Sequence, residues 1–229
     1  MRTPLNFIFT MAFLCSGIAS ADDGWSLQAG GEYADIGISG GTTSWSAGRL
    51  QIAWRDETRG GARFALEPQA RGSLRDVAVV AGGFRHLGGW TVSGEAAFTP
   101  SADFYYKRAG ELELARRLGG GFVAHAGFRR LEFASADVDI WMPALSRYAS
   151  WGEVQVRGFV GRNRTAGTDS IAVLSRGAVQ VSRVVRIEGG IAVGERIFDV
   201  TSLPGQPQDG FVAFVGGRFP RQFEFPQEV

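Results

Sequence analysis

His86 and His125 are the two side chains of this 229-residue chain best suited to general acid–base work near neutral pH. Hydrolysis would also need a nucleophile and an orienting acid within hydrogen-bond reach. His125 stands in Ala124-His-Ala126 with no Ser beside it and no His-x-Ser pattern, and Asp137 and Asp139 follow one hairpin later. His86 falls at a short turn. The expectation is therefore no catalytic residue. No Cys–His cluster offers a zinc site, and Asp22, Asp23, Asp35, Asp56, Asp169 and Asp209 are too scattered for a calcium loop. Gly82-Gly83, Gly88-Gly89 and Gly119-Gly-Gly121 lead into no Gly-x-x-x-x-Gly-Lys and read as turns. No metal and no cofactor is expected. What remains is a set of charged side chains: Glu32, Arg49, Arg55, Arg63, Glu67, Glu95, Glu111, Glu113, Arg129, Glu153, Arg157, Arg186, Glu188 and Arg218, with His125 among them. The Arg fork matches carboxylates in a bidentate way and stays charged at any ordinary pH.

These residues fall on alternate positions of extended segments. Trp25, Leu27, Ala29, Gly31 and Tyr33 take one face while Gln28 and Glu32 take the other. Leu112 and Leu114 oppose Glu111 and Glu113; Phe122, Ala124, Ala126 and Phe128 oppose His125 and Arg129; Val154, Val156 and Val160 oppose Glu153, Gln155 and Arg157. Period-2 alternation of this kind marks strands with unlike faces. Segments 74–86, 137–148 and 170–181 alternate less cleanly but still read as extended. The spacing predicts an all-β chain of about twelve antiparallel strands, with ten as the alternative count.

A β-sandwich also alternates, with its apolar faces inward. Three features point to a transmembrane up-and-down barrel instead. The segments are long: about 11 residues at about 3.3 Å each, tilted near 45°, span roughly the 25 Å apolar band of an outer membrane. Trp25, Trp45, Trp54, Trp90, Tyr105, Tyr106, Trp141, Tyr148 and Trp151 gather near segment ends, where interfacial girdles want amphipathic rings. Connectors alternate in length, with long ones at 37–43, 99–106, 132–137, 162–169 and 199–209 and short ones at 56–60, 86–89, 118–121, 149–150 and 182–183. The connector near 70–74 breaks that alternation. In this orientation the charged set lines the lumen.

Residues 1–21 read as a secretory signal peptide: Arg2, an apolar run from Phe7 to Leu14, and Ala19-Ser-Ala21 before Asp22. Residues 22–229 are then the barrel, in the outer membrane after export. Removing Arg2 from 24 basic residues leaves 23, against 23 acidic ones, for a net charge of zero. The same cleavage removes Cys15, so no disulfide is expected. A neutral chain gives no reason for a nucleic-acid partner. The 33 glycines favour turns and strand bends over long helices.

Phe98-Thr-Pro-Ser-Ala-Asp-Phe-Tyr-Tyr-Lys-Arg-Ala-Gly-Glu-Leu-Glu-Leu114 is followed by Gly127-Phe-Arg-Arg-Leu-Glu-Phe133, Asp137-Val-Asp-Ile140, Tyr148 and Trp151. Together with Gly30-Gly-Glu-Tyr-Ala-Asp35 and Trp54-Arg-Asp-Glu-Thr-Arg59, this ordered series resembles the YaiO-type outer-membrane β-barrel family from about residue 30 to about 198. The resemblance implies an outer-membrane location and, through some relatives, components of exopolysaccharide systems as partners. One departure is the end, where Phe219, Phe223 and Phe225 precede a tail from Pro226 rather than a terminal aromatic.

The leading functional expectation is a non-enzymatic barrel serving envelope structure or the passage of surface polysaccharide or small solutes. Its partners would be outer-membrane lipids and the outer-membrane assembly machinery. Balanced signs favour a lumen filled by Arg–carboxylate pairs; a one-signed lining would favour a selective pore. The alternatives are a lipid-modifying hydrolase of the outer membrane, and an adhesin or assembly partner acting through loops 99–106, 162–169 and 199–209.

Overall fold

A computed structural model describes residues 9–11, 24–38, 41–182, 185–195 and 209–218, with side chains placed within 24–31, 33, 44–182 and 185–194. The described residues are all strand, turn or loop. The strands are β1 (Phe9–Met11), β2 (Gly24–Ile38), β3 (Gly41–Asp56), β4 (Gly60–Arg71), β5 (Leu74–Leu87), β6 (Trp90–Phe98), β7 (Arg108–Gly119), β8 (Phe122–Glu132), β9 (Asp137–Ala149), β10 (Gly152–Asn163), β11 (Thr168–Ser182), β12 (Val185–Glu195) and β13 (Asp209–Arg218). They form one antiparallel meander in sequence order, from β1 to β13. Among the described residues no ladder joins β13 back to β1 or β2. β1 lies inside the segment read as an export signal and pairs Phe9–Met11 with Tyr33–Asp35 on the outer edge of β2.

Side-chain exposure is inverted relative to a water-soluble sandwich. Trp25 is 72%, Leu27 64% and Trp141 60% exposed. The register puts all three on one face of the sheet, with Leu50, Phe64, Leu112, Val156 and Ile191, also exposed. The opposite face carries the buried residues and the mid-strand charges. Pairs such as Glu111 opposite Arg129 and Gln155 opposite Ser146 share it. The charges that share the apolar face, such as Arg85, Arg116, Arg130, Asp137 and Arg147, stand near strand ends. Among the described residues no helix is long and apolar enough to cross a membrane.

Turns at one end are short throughout: Glu57–Arg59, Gly88–Gly89, Gly120–Gly121 and Ser150–Trp151 separate consecutive strands. Gly121 shows why glycine is needed there: its φ is +80° and an added Cβ would lie 2.2 Å from the Tyr148 carbonyl oxygen. Every longer described connector lies at the other end, the loop end: 99–107, 133–136 and 164–167. One sequence expectation needs correction. The stretch 37–43 is no long loop, because β2 and β3 extend to Ile38 and from Gly41. The connector near 70–74 does break the alternation: it is a tight hairpin over Gly72–Ser73 at the loop end, with Gly72 at φ +57°.

The in-strand prolines have a consistent setting. Pro68 and Pro143 each stand across from a glycine, Gly48 and Gly158, whose added Cβ would meet the ring at 3.0 and 3.5 Å. Proline donates no ladder hydrogen bond. The β3–β4 ladder accordingly resumes at Leu50↔Leu66 after Ala47↔Gln69.

Candidate functional site

The face opposite the exposed apolar residues has two zones. Near the loop end it is apolar. Ala65, Ala78, Val80, Ala97, Leu131 and Val138 pack there with Tyr106, and Ala109, Phe133, Ile140 and Tyr105 border them. The loop 99–107 supplies the two tyrosines. Asp76, 2% exposed on β5, holds this loop in place. Its carboxylate accepts from the backbone N–H groups of Asp103 (2.9 Å), Phe104 (3.0 Å) and Tyr105 (2.8 Å). The paired rings of Tyr105 and Tyr106 lie 4.1 Å apart, and Tyr106 donates toward Glu67 at 3.5 Å. Burial raises the tyrosine hydroxyls of both above their ordinary pKa. Tyr105 and Tyr106 are therefore part of an internal core and not of an interfacial girdle. The loop, expected on the outside, turns inward. Trp45 also shares the parity of Arg49, under the Arg71 guanidinium.

Toward the turn end the same face is polar. At the border with the apolar zone, Arg49 Nη1 lies 2.9 Å from Glu67 and also donates to Gln51 through Nη2 at 2.8 Å; further on, Arg129 approaches Glu111 at 3.8 Å. Arg63 pairs with Glu95 across the intervening β5. Arg186 reaches Glu153 across β11 at 2.7 Å. Arg157 on β10 reaches Glu113 on β7 at 2.7 Å. Three strand spacings amount to about 14 Å on a flat sheet. A contact between β7 and β10 therefore requires strong curvature, with the charged face concave. Arg55 lines the same side, and Glu188 takes part in the polar interactions of its neighbourhood. Glu32 and Arg218 lie in β2 and β13, and their side chains fall outside the described residues.

His125 is at the centre of this zone. Its Nδ1 lies 3.0 Å from Glu113, and its Nε2 lies 3.0 Å from Ser146 Oγ. Gln155 donates to the same Ser146 oxygen at 2.8 Å. A carboxylate only accepts, so Nδ1 carries a proton; in the neutral ring Nε2 then accepts from the serine. The geometry follows from register. His125 faces Ala115 on β7 and Ala144 on β9, which makes Glu113 and Ser146 its diagonal neighbours on one face. The expectation that His125 has no serine partner is thus corrected: the serine comes from the next strand, not from its own. Asp137 and Asp139 do not join it; both pair with Arg130 near the loop end. His86 bonds Thr91 at 2.9 Å across the β5–β6 hairpin. Among the described residues no acidic or His/Cys cluster has metal-binding form.

A cavity of about 290 Å³ opens on the concave side between β2 and β7. Its wall includes Gln28, Gln51, Arg55, Arg63, Glu95 and Glu111.

No protein-family model matches the chain, and no curated protein matches it in sequence. Among solved structures it is similar to one described as "NanC porin structure in rhombohedral crystal form", with a TM-score of 0.57, covering 86% of this chain and 100% of that chain. The fold is porin-like. Sequence identity over that match is 11%, so the likeness concerns architecture alone.

Proposed function

We propose that the protein is an outer-membrane barrel that admits small hydrophilic solutes to a polar lumen. The observation that carries this is the inverted sheet: large apolar side chains exposed on the convex face, and ion-paired Arg and carboxylate groups on the concave face around a cavity. A bilayer rewards the first and water the second. Within this reading residues 1–21 direct export, and the lattice around Arg49, Arg63, Glu95, Glu111, Glu113, Arg157 and Arg186 lines the passage. The YaiO-type resemblance, with outer-membrane lipids, assembly machinery and exopolysaccharide components as partners, belongs to the same proposal.

A plugged, structural barrel is the second reading. It is favoured by the loop 99–107 tucked onto Asp76 and by the Arg157–Glu113 pair across the concave side. Planar-bilayer recording on the refolded chain separates the two. Steady unit conductance is expected for the passage; silence at every applied voltage, with the barrel folded, overturns it in favour of the plug.

A further inference from the structure

Ser146, His125 and Glu113 form one hydrogen-bonded line on the concave face, in the order nucleophile, base and orienting acid. Three different strands supply them, and a fourth supplies Gln155 and Arg157. The proton inventory is the one an ester hydrolase uses. With the ring neutral, Ser146 donates to Nε2 and Nδ1–H donates to Glu113, whose other oxygen lies 2.7 Å from Arg157. Gln155 adds a side-chain amide N–H at 2.8 Å from Oγ, the kind of donor that stabilises an oxyanion. A purely structural histidine needs two partners; it does not need a serine that is itself addressed by an amide donor.

We propose that Ser146 is a nucleophile toward small, water-soluble carboxylic esters that enter from the lumen. Membrane lipids are the wrong class, because the line faces inward while the exposed apolar face points away from it. The cavity wall includes Glu111, which is two residues from Glu113 on the same face of β7 and so about 7 Å away. Ser146 is 2% exposed. An ester therefore gains Oγ when the Gln155 amide moves from the serine oxygen to the incoming carbonyl oxygen. Oγ then adds to the carbonyl carbon as its proton passes to His125 Nε2. The bond to the alcohol breaks, and Nε2 returns that proton to the departing alkoxide. Water repeats the route on the acyl-serine, releasing the carboxylic acid and restoring Ser146. His125 is the base, and Glu113 is a positioning residue that fixes its tautomer.

The test uses the protein folded in detergent and a small fluorophosphonate probe, with peptide mapping of the adduct. The expected result is a single adduct on Ser146. His125→Gln should slow it by about 100-fold or more, the usual worth of a general base. Ser146→Ala should abolish it. Heat-modifiable gel migration checks that each variant is folded; where Ser146→Ala is not, the mapped adduct on the parent chain and the His125→Gln rate decide. No adduct on the folded protein, an adduct elsewhere, or a His125→Gln rate equal to the parent's overturns the proposal.

Discussion

The two ends of the concave face are built on opposite principles. At the loop end, Ala65 and Ala78 are 0% exposed, Val80 is 1% exposed, and one buried acid secures a loop through backbone N–H groups. At the turn end, charge meets charge in partly hydrated pairs such as Arg63–Glu95, with the Arg side chain 45% exposed beside a cavity. A buried, unmatched polar group costs far more than a hydrated one. The loop end should therefore be brittle toward single substitutions, and the exposed pairs of the turn end, such as Arg63–Glu95, tolerant.

Asp76→Ala should have the largest effect. It leaves three backbone N–H groups without an acceptor, at a cost of about 3 kcal/mol or more. The loop should then swing out. Trypsin should cut after Lys107 at least tenfold faster, and any unit conductance should rise. Unchanged proteolysis would break the comparison at its strongest point. Val80→Ala removes buried methyl groups from the same zone and should lower stability by about 2 kcal/mol in urea unfolding from micelles. A value near zero would mean that the loop end is loosely packed.

At the turn end, Arg63→Met should shift stability by less than about 1 kcal/mol, because its pair is half-exposed. It should nevertheless change ion selectivity toward cations, as Glu95 loses its partner beside the cavity. Reversal potentials under a salt gradient read this, and an unaltered value would place Glu95 outside the conducting path.

The smallest effect concerns the exposed turn at Asp56. The Thr58 hydroxyl, with the Arg59 and Thr58 amides, holds its carboxyl below the ordinary aspartate value. A depressed native pKa contributes stability above the unfolded value, and that contribution is lost as pH falls through the native one. The Thr58 and Arg59 amide signals should shift together on acidification, with a midpoint below about 3.9, the free aspartate value. A midpoint at or above that value would contradict the bonded turn.

How much was legible in the sequence follows from the same contrast. β7 alternates strictly because its outer face is Leu112 and Leu114 while its inner face is Glu111 and Glu113. The segments 74–86, 137–148 and 170–181 alternate poorly for a physical reason: both of their faces are partly apolar. Ala78 and Val80, Val138 and Met142, and Ala172 and Ala178 are buried inside, while Val77, Trp141 and Ile171 are exposed outside. Those segments also hold the two functional residues that composition hides, Asp76 and Ser146. Asp76 acts on a loop 27 residues further along the chain, and Ser146 meets His125 only through strand pairing. The run Thr99-Pro-Ser-Ala-Asp103 reads locally as a surface turn, and only its remote anchor turns it inward.

The central claim is that apolar residues face lipid and charged residues face a lumen. Single Cys substitutions along β7, from Ala109 to Ala115, test it most directly once Cys15 is removed with residues 1–21. Each site carries a fluorophore, and the protein is reconstituted in bilayers whose acyl chains bear bromine as a quencher. The predicted result is quenching at 110, 112 and 114 and none at 109, 111, 113 and 115. Uniform quenching, no quenching, or the opposite phase would contradict the account.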